Sequence, residues 1–374
     1  MQGEPITNLL GKRFALRNLL KNKKYHNYDG SIERNELTPE KEPGLVDLLK
    51  GFAKAIVENP DLLLKESYDF NERQRDWISL VKKEVLQGQE VLELDARSKP
   101  GHKILDSYMT HFWNVTNHKG VSVRNCMTQE QLEKALFQNI MMHSTPYPSE
   151  IRRMLIMTSG LSNVTKYRTV TAKAIVQHFG AKRVFDPCVG WGGRMLGTLS
   201  AGEDTYYTGC EPDTNTSDAL MQILNDTAIP SEATDRAVIW NEPVEKVLPL
   251  LTEMFDMILT SPPYFNLELY TRGEQSTVQY KTWDEWRTKW LKPVILGCLL
   301  LLKEDGVSCW SVKNFRSDKQ YPLADEVKKI HEDAKWKLIK TVKMTGSGRP
   351  GSHRIRDGSE TRGSEEETFC FRRC

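Results

Sequence analysis

From about residue 150 onward the sequence alternates two rhythms, and this alternation constrains the fold more than any other feature of the chain. Short apolar runs of strand length recur at 183–185, 206–209, 237–240, 257–260, 307–312, 337–344 and 368–372. Helical spacing of apolar residues fills the gaps: 166–178, a segment ending near Ala201, 217–225, 244–251 and 283–302. Strand and helix in turn describe an α/β fold, a doubly wound and mostly parallel sheet with helices on both faces. Such sheets take ligands at the carboxyl ends of their strands. The turns that follow each apolar run are therefore where chemistry is expected.

The first ~150 residues read differently, as mainly helical. Residues 44–58 carry Leu45, Leu48, Leu49, Phe52, Ala55 and Ile56 at helical spacing, closed by Asn59-Pro60. A second helix is expected over 71–88, with Trp77, Leu80, Val81, Val85 and Leu86. A third is expected over 128–143, with Thr128 as N-cap and Gln131 completing a capping box. Residues 25–44 and 96–103 are polar and read as loops. The expected division is thus a helical N-terminal domain, 1–150, with a role in target recognition, and a catalytic domain, 151–374.

Composition narrows the class of partner. Hydrophobic residues at 39% and charged residues at 27% suit a soluble globular chain with a sizeable core. Lys+Arg 52 against Asp+Glu 50 leaves +2, which excludes a uniformly basic binder but not a local basic cleft. The longest apolar run, around 294–302, is under half of what a bilayer needs, so no membrane partner is expected. Residues 1–10 lack a basic start followed by a long apolar stretch, so no secretory leader is expected. The seven cysteines form no CxxC pair, and His111, His118, His143 and His178 have no partner at ligand spacing. Reduced thiols, no metal and a cytoplasmic setting follow.

Two turns carry chemistry. The first, Val184-Phe-Asp-Pro-Cys-Val-Gly-Trp-Gly-Gly-Arg194, sits where a strand ends and a helix begins. Its glycines let the backbone approach a ligand closely. Glu211 ends the next strand, where an acid can grip both hydroxyls of a ribose. The competing readings are a ligand-free tight turn and a dinucleotide site. The dinucleotide fingerprint expects a third glycine where this chain has Met195. The second turn is Phe255-Asp-Met-Ile-Leu-Thr-Ser-Pro-Pro-Tyr-Phe265, an apolar strand running into Ser-Pro-Pro-aromatic. Its two prolines hold the backbone extended and fix the preceding carbonyls as acceptors. A hydroxyl, a carbonyl and an aromatic face on one stiff turn suit a planar ring bearing an amine. The alternative is a proline-rich loop that closes a sheet.

Asp186-Pro187-x-x-Gly190-x-Gly192, followed by Thr260-Ser261-Pro262-Pro263-Tyr264, resembles the S-adenosylmethionine-dependent exocyclic-amino DNA methyltransferases, which methylate N4 of cytosine or N6 of adenine. The resemblance covers about residues 150–374. It implies a Rossmann-like class I methyltransferase sheet of seven strands and S-adenosyl-L-methionine as cofactor. By similarity, Asp186, Pro187, Gly190, Gly192 and Gly193 line the cofactor, Glu211 holds its ribose and Asn241 lies near its adenine. Ser261, Pro262, Pro263 and Tyr264 hold the target amine, with Phe265 as a further pocket wall. Serine in the first position of the tetrapeptide is commoner in N4-cytosine enzymes, which favours cytosine over adenine. The chain departs from the family at Cys188 and Trp191, where Phe and Ser or Thr are usual, and in having Arg194 next. Only about 74 residues separate Asp186 from Thr260, leaving no room between the motifs for a recognition domain. Recognition then falls to the N-terminal helices, to 265–282 or to the C-terminal loop.

Lesser signals complete the picture. The resemblance also implies that Tyr167 and Arg168, ahead of the first sheet strand, are candidates to close over the methionine end of the cofactor, the alternative being a capped helix with a solvated Arg. Residues 340–363 hold Arg349, Arg354 and Arg356 among many Gly and Ser, a composition suited to phosphate contacts. Lys12, Arg13, Arg17, Lys21, Lys23 and Lys24 form another basic run, which reads better as a solvated helix face. The expected activity is methyl transfer to a flipped DNA base in a prokaryotic or phage-infected cell. The alternatives are an RNA or protein-glutamine amine as acceptor, or a non-catalytic nucleic-acid binder.

Overall fold

The computed structural model describes residues 43–85, 93–95, 99–141, 147–161, 165–270, 275–345 and 365–374. Along it run helices α1 (Pro43–Glu58), α2 (Asp61–Leu64), α3 (Phe70–Lys82), α4 (His102–Tyr108), α5 (Gln129–Met141), α6 (Pro148–Ser159), α7 (Thr169–Phe179), α8 (Gly193–Leu199), α9 (Thr214–Leu224), α10 (Lys292–Leu300) and α11 (Leu323–Asp333). Eight strands form one sheet: β1 (Glu93–Asp95), β2 (Arg183–Asp186), β3 (Tyr206–Cys210), β4 (Ala237–Trp240), β5 (Phe255–Thr260), β6 (Leu302–Ser311), β7 (Trp336–Thr345) and β8 (Glu365–Arg373).

The strand order is β1-β7-β8-β6-β5-β2-β3-β4. Strand β8 runs antiparallel to both β6 and β7, and every other neighbouring pair is parallel. Counted from β2, the seven strands after residue 180 stand in the order 3-2-1-4-5-7-6 with strand 7, β8, reversed. The alternation predicts the doubly wound, mostly parallel sheet, and the order and polarity are those of the seven-stranded Rossmann-like class I methyltransferase sheet that the resemblance implies. The eighth strand, β1, was not expected; three residues from the N-terminal half pair with Lys343–Thr345 at the sheet edge.

The chain divides into two compact units, and not at residue 150. One unit is Met1–Glu66 with Thr110–Val164; the other is Ser67–Met109 with Thr165–Cys374. Residues 67–109 belong to the sheet unit because polar anchors hold them there. Lys173 Nζ on α7 donates to the carbonyls of Leu80, Val81 and Lys83 at 2.9, 2.6 and 2.9 Å, capping the end of α3. Arg73 pairs with Asp226 at 2.7 Å, and Thr169 donates to the Pro100 carbonyl at 2.5 Å. Helix α3 is itself started by a capping box, with Asp69 accepting from Glu72 N.

The helical unit buries Leu49, Phe52, Ile56, Leu63, Leu132, Leu136, Ile151 and Leu155 against one another. Its Arg152 is buried, donates to the Leu63 carbonyl and pairs with Glu66; burial pushes its guanidinium down to about 10. Helix α5 starts after Thr128, whose hydroxyl accepts from Gln131 N as expected. In the sheet unit, the helix expected over 283–302 begins as an α-turn, widens into a π-helical stretch at Trp286–Leu291 and continues as α10. That stretch directs Trp286 and Trp290 into the core. No described helix is long and apolar enough to cross a membrane.

Candidate active site

Strands β2 and β5 are parallel neighbours, with Val184 opposite Met257 and Phe185 opposite Ile258, so their following turns emerge side by side. Thr260 Oγ1 donates to Asp186 Oδ1 across this junction at 2.8 Å. The two motifs that lie apart in sequence are therefore hydrogen-bonded to each other.

Asp186 is fully buried, and its carboxylate is saturated. Oδ2 accepts from Arg194 Nε and from Tyr207 Oη, both at 2.7 Å. Oδ1 accepts from Thr260 Oγ1, from Cys188 N at 3.1 Å and from Arg194 Nη2 at 3.4 Å. A carboxylate offers about four lone-pair sites, so none remains for a ligand. Asp186 is an internal bracket and not the cofactor contact expected from the sequence. Arg194 completes it by donating to the Cys188 carbonyl and, at 3.1 Å, to that of Val189. Burial alone would lower Arg194, but the charge of Asp186 overrides it and holds the guanidinium more firmly protonated than usual. This buried pair fixes the curvature of the glycine turn. Burial pushes the Cys188 thiol well up, against what a reactive thiolate needs.

The glycines divide into two kinds. Gly193 is forced by packing: a Cβ there would lie 2.2 Å from the Tyr167 carbonyl oxygen. Gly192, the N-cap of α8, has φ +78, and a Cβ on it would meet Leu220 at 2.8 Å. Gly190 has φ +58 and nothing within 4 Å of a Cβ, so its face of the turn is open. Gly209 on β3, not singled out in the sequence, lets Val189 settle on the strand, since a Cβ would come within 2.3 Å of it. Pro187 is buried at the start of the turn.

Glu211 directly follows β3 and accepts from the N–H of Gly190 on that turn. Oε2 accepts from Gly190 N at 2.9 Å and Oε1 from Asp213 N at 3.0 Å. About two lone-pair sites therefore stay available. Burial pushes its pKa up to about 8 against those two backbone bonds, with the charges of Asp213 and Asp186 adding to the rise. Asn241 follows β4 and donates from Nδ2 to the Glu211 carbonyl at 3.0 Å, linking the second and third strand ends. Trp191 is largely buried beside Tyr270, with ring centroids 5.9 Å apart.

In the second turn, Ser261 is half-buried, and no described residue hydrogen-bonds its hydroxyl. Pro262 is buried and Pro263 half-buried. Tyr264 is only 8% exposed; its ring meets Phe315 edge-on at 5.5 Å and its Oη accepts from Lys313 N at 3.1 Å. Phe265 is not a pocket wall. Its φ of +39 turns the side chain into the core, 5.8 Å from Trp283 and Trp286 and 5.5 Å from Tyr321. Tyr167 likewise serves the interior: its Oη lies 3.0 Å from Ser311 Oγ and its ring beneath Arg194. Arg168 is the N-cap residue of α7 and is half-buried. Arg349, Arg354 and Arg356 lie outside the described residues, as does the basic run of residues 12–24.

The site thus presents an open glycine face, a buried acid with spare acceptor capacity and a hydroxyl on a rigid turn, on adjoining strand ends. No protein-family model matches the chain, and no curated protein matches it. Among solved structures the chain is similar to TrmN from Thermus thermophilus, at 16% identity over 55% of this chain and 49% of that one, TM-score 0.36. It spans about half the length of that protein. It is also similar to a putative rRNA-methylase from Clostridium thermocellum (10% identity, 56% of this chain and 97% of that one, TM-score 0.36). A third is precorrin-6y C5,15-methyltransferase from Geobacter metallireducens (10% identity, 57% and 94%, TM-score 0.37). The class of the fold rests on its own strand order and polarity.

Proposed function

We propose that this chain is an S-adenosyl-L-methionine-dependent methyltransferase acting on an exocyclic amine of a DNA base, cytosine N4 in preference to adenine N6. The observation that carries this reading is the Thr260–Asp186 hydrogen bond, which holds the glycine turn and the Ser-Pro-Pro-Tyr turn together at the ends of adjacent parallel strands. The residues fit the cofactor: Glu211 keeps acceptor capacity for two ribose hydroxyls, and the Gly190 face has space for a ligand. When bound, the cofactor supplies a methyl group on a sulfonium, a good leaving group.

The protein's part is then placement. Glu211, with Gly190 and Asn241 around it, holds the ribose. Ser261 Oγ and the Pro262 carbonyl accept from the amine and direct its lone pair at the methyl carbon. As the bound cofactor supplies the methyl group to the amine nitrogen and leaves as the thioether, Ser261 Oγ and the Pro262 carbonyl would set the direction of the departing amine proton. Proximity supplies most of the rate, and the amine must first leave its base pair. Tyr264 contributes by fixing the turn through Lys313 N rather than by offering a broad free face.

The test is mass spectrometry of nucleosides from DNA incubated with the protein and labelled cofactor, with RNA and protein fractions run in parallel. N4-methylcytosine in DNA is the expected product. Label confined to RNA or protein overturns the DNA reading, and cofactor binding without transfer to any fraction makes the chain a binder.

A further inference from the structure

Beyond the second turn, the chain leaves β6 at Ser311 and forms a short hairpin in which Phe315–Arg316 pairs with Gln320–Tyr321. None of the segments singled out from the sequence includes it. The hairpin is attached to the Ser-Pro-Pro-Tyr turn along its whole inner side. Lys313 N donates to Tyr264 Oη at 3.1 Å, and Phe315 packs on Tyr264. Phe315 and Tyr321 stack at 5.1 Å, and Tyr321 also meets Phe265. Asn266, just past the turn, donates from Nδ2 to Asp318 Oδ1 at 2.9 Å, and Ser317 Oγ donates at 2.7 Å to Asn266 Oδ1. Ser317 Oγ and Tyr321 Oη each also lie 2.9 Å from Asp318 Oδ1 as donors. These donors, Asn266 first, hold the Asp318 carboxyl well below the usual carboxylate range, so the anchor stays charged.

The outer side is the opposite in character. Lys313, Arg316 and Lys319 are all exposed, and none pairs with a carboxylate among the described residues. Three exposed cations thus share this short hairpin with one exposed carboxylate, whose Oδ1 takes the anchoring bonds, and Lys319 Nζ lies 5.4 Å over the Tyr321 ring. A rigid two-stranded element would otherwise have little reason to group them at this strand end, the edge where open α/β sheets take ligands.

We propose that the hairpin 313–321 is the phosphate-gripping element of the site, contacting the DNA backbone beside the base whose amine reaches Ser261. The inference rests on the DNA reading above and goes further by naming where the polyanion lies. Because the hairpin is hydrogen-bonded and packed to the turn, a backbone held at Lys313, Arg316 and Lys319 is held in register with Ser261 and the Pro262 carbonyl. Phosphate contacts of this kind position a duplex without reading its sequence.

The test uses the full chain carrying Lys313→Gln, Arg316→Gln and Lys319→Gln together. DNA affinity is measured over a salt series, and affinity for S-adenosyl-L-methionine is measured alongside. The expected result is a salt dependence flattened by about 0.9 per lost contact on a log–log plot, with cofactor affinity unchanged. A charge-keeping counterpart, Lys313→Arg, Arg316→Lys and Lys319→Arg, should retain the original slope. An unaltered slope in the neutral variant overturns the inference, as does a slope lost equally in the charge-keeping one, which would make the effect one of packing. Failure of the DNA reading shows separately, in the unmutated protein: no salt-dependent DNA binding and no methyl transfer to DNA, which removes this inference with it.

Discussion

At the scale of single residues, the site separates groups with spare hydrogen-bonding capacity from groups whose capacity is used up inside the protein. Asp186 belongs to the second kind and Glu211 to the first, although both are buried acids at the ends of neighbouring strands. The distinction follows from counting lone pairs: Asp186 accepts from five donors and Glu211 from two. Glu211→Gln keeps the shape but removes the charge, and hydrogen bonds to a charged acceptor are worth about 1.5–3 kcal/mol. Titration calorimetry should therefore show cofactor affinity lowered by ten-fold or more, and unchanged affinity would remove Glu211 from the ribose site. The pH dependence has a definite sign. With the folded pKa near 8 against an ordinary 4.5, the folded protein keeps a proton that the unfolded chain gives up, so this group's contribution to stability declines as pH rises from about 4.5 to 8. A carboxylate that grips ribose must ionise, so cofactor binding at pH 7 should release a proton and strengthen toward pH 8. Calorimetry in two buffers of different ionisation enthalpy reads that proton directly. Ser261 and Tyr264 should separate as well. Ser261→Ala should leave stability nearly unchanged and slow methyl transfer in a single turnover. Tyr264→Phe leaves Lys313 N without its acceptor and should cost about 1–3 kcal/mol of stability. Equal effects of both on stability would contradict that division of roles.

At the scale of elements, the glycine turn is shaped as much by helix packing as by ligand approach. Helix α8 lies so close to α7 and the segment before it that Gly193 and Gly197 admit no Cβ; at Gly197 one would stand 2.4 Å from the Thr169 carbonyl oxygen. Gly193→Ala and Gly197→Ala should each destabilise by about 1–3 kcal/mol or more, because backbone must shift to relieve the overlap. Gly190→Ala should behave differently. It meets no atom within 4 Å, so only the left-handed backbone is strained, at about 1–2 kcal/mol. Its methyl would enter the open face and weaken cofactor binding out of proportion to the stability lost. Chemical denaturation and calorimetry on the three variants check this, and a Gly190→Ala protein with full cofactor affinity would place the ligand elsewhere. Several elements were hard to see in the sequence for reasons of length and environment. Helix α4 spans seven residues and has little periodicity of its own. Helix α11 does carry Leu323, Val327 and Ile330 on its buried side, but it follows a two-residue hairpin strand that local pattern cannot register. Strand β1 is defined by its partner at the sheet edge and by nothing in its own three residues.

At the scale of the whole molecule, the sheet unit carries a second buried titrating group far from the ligand-facing turns in sequence. His331 on α11 is fully buried; its Nδ1 lies 2.7 Å from the Val327 carbonyl, which can only accept, so that nitrogen carries the proton. Its Nε2 then accepts from Ser308 Oγ at 2.9 Å, and Ser308 in turn accepts from Trp310 Nε1 at 2.8 Å. Burial pushes the imidazole down to about 4, against the single favourable bond to Val327. The unfolded chain takes up this proton near pH 6.5 and the folded one only near 4, so stability due to His331 is complete above about 6.5 and is lost as pH falls toward 4. An NMR titration should find the His331 midpoint well below the ordinary 6.5, and a midpoint near 6.5 would show the packing around it to be loose. On the larger question of what was legible, the sequence by itself determined the strand–helix alternation, the Gly-rich and Pro-rich turns after two of the strands and the presence of Glu211 and Ser261 at strand ends. Those are local properties, written in periodicity and in the backbone limits of Gly and Pro. The tertiary structure alone decided that Asp186 faces inward to Arg194, that Phe265 turns into the core, that residues 67–109 join the sheet unit and that a basic hairpin borders the Ser-Pro-Pro-Tyr turn. Each of these depends on which distant groups satisfy a buried charge, an aromatic ring or a free carbonyl, and spacing along the chain carries no record of such partners.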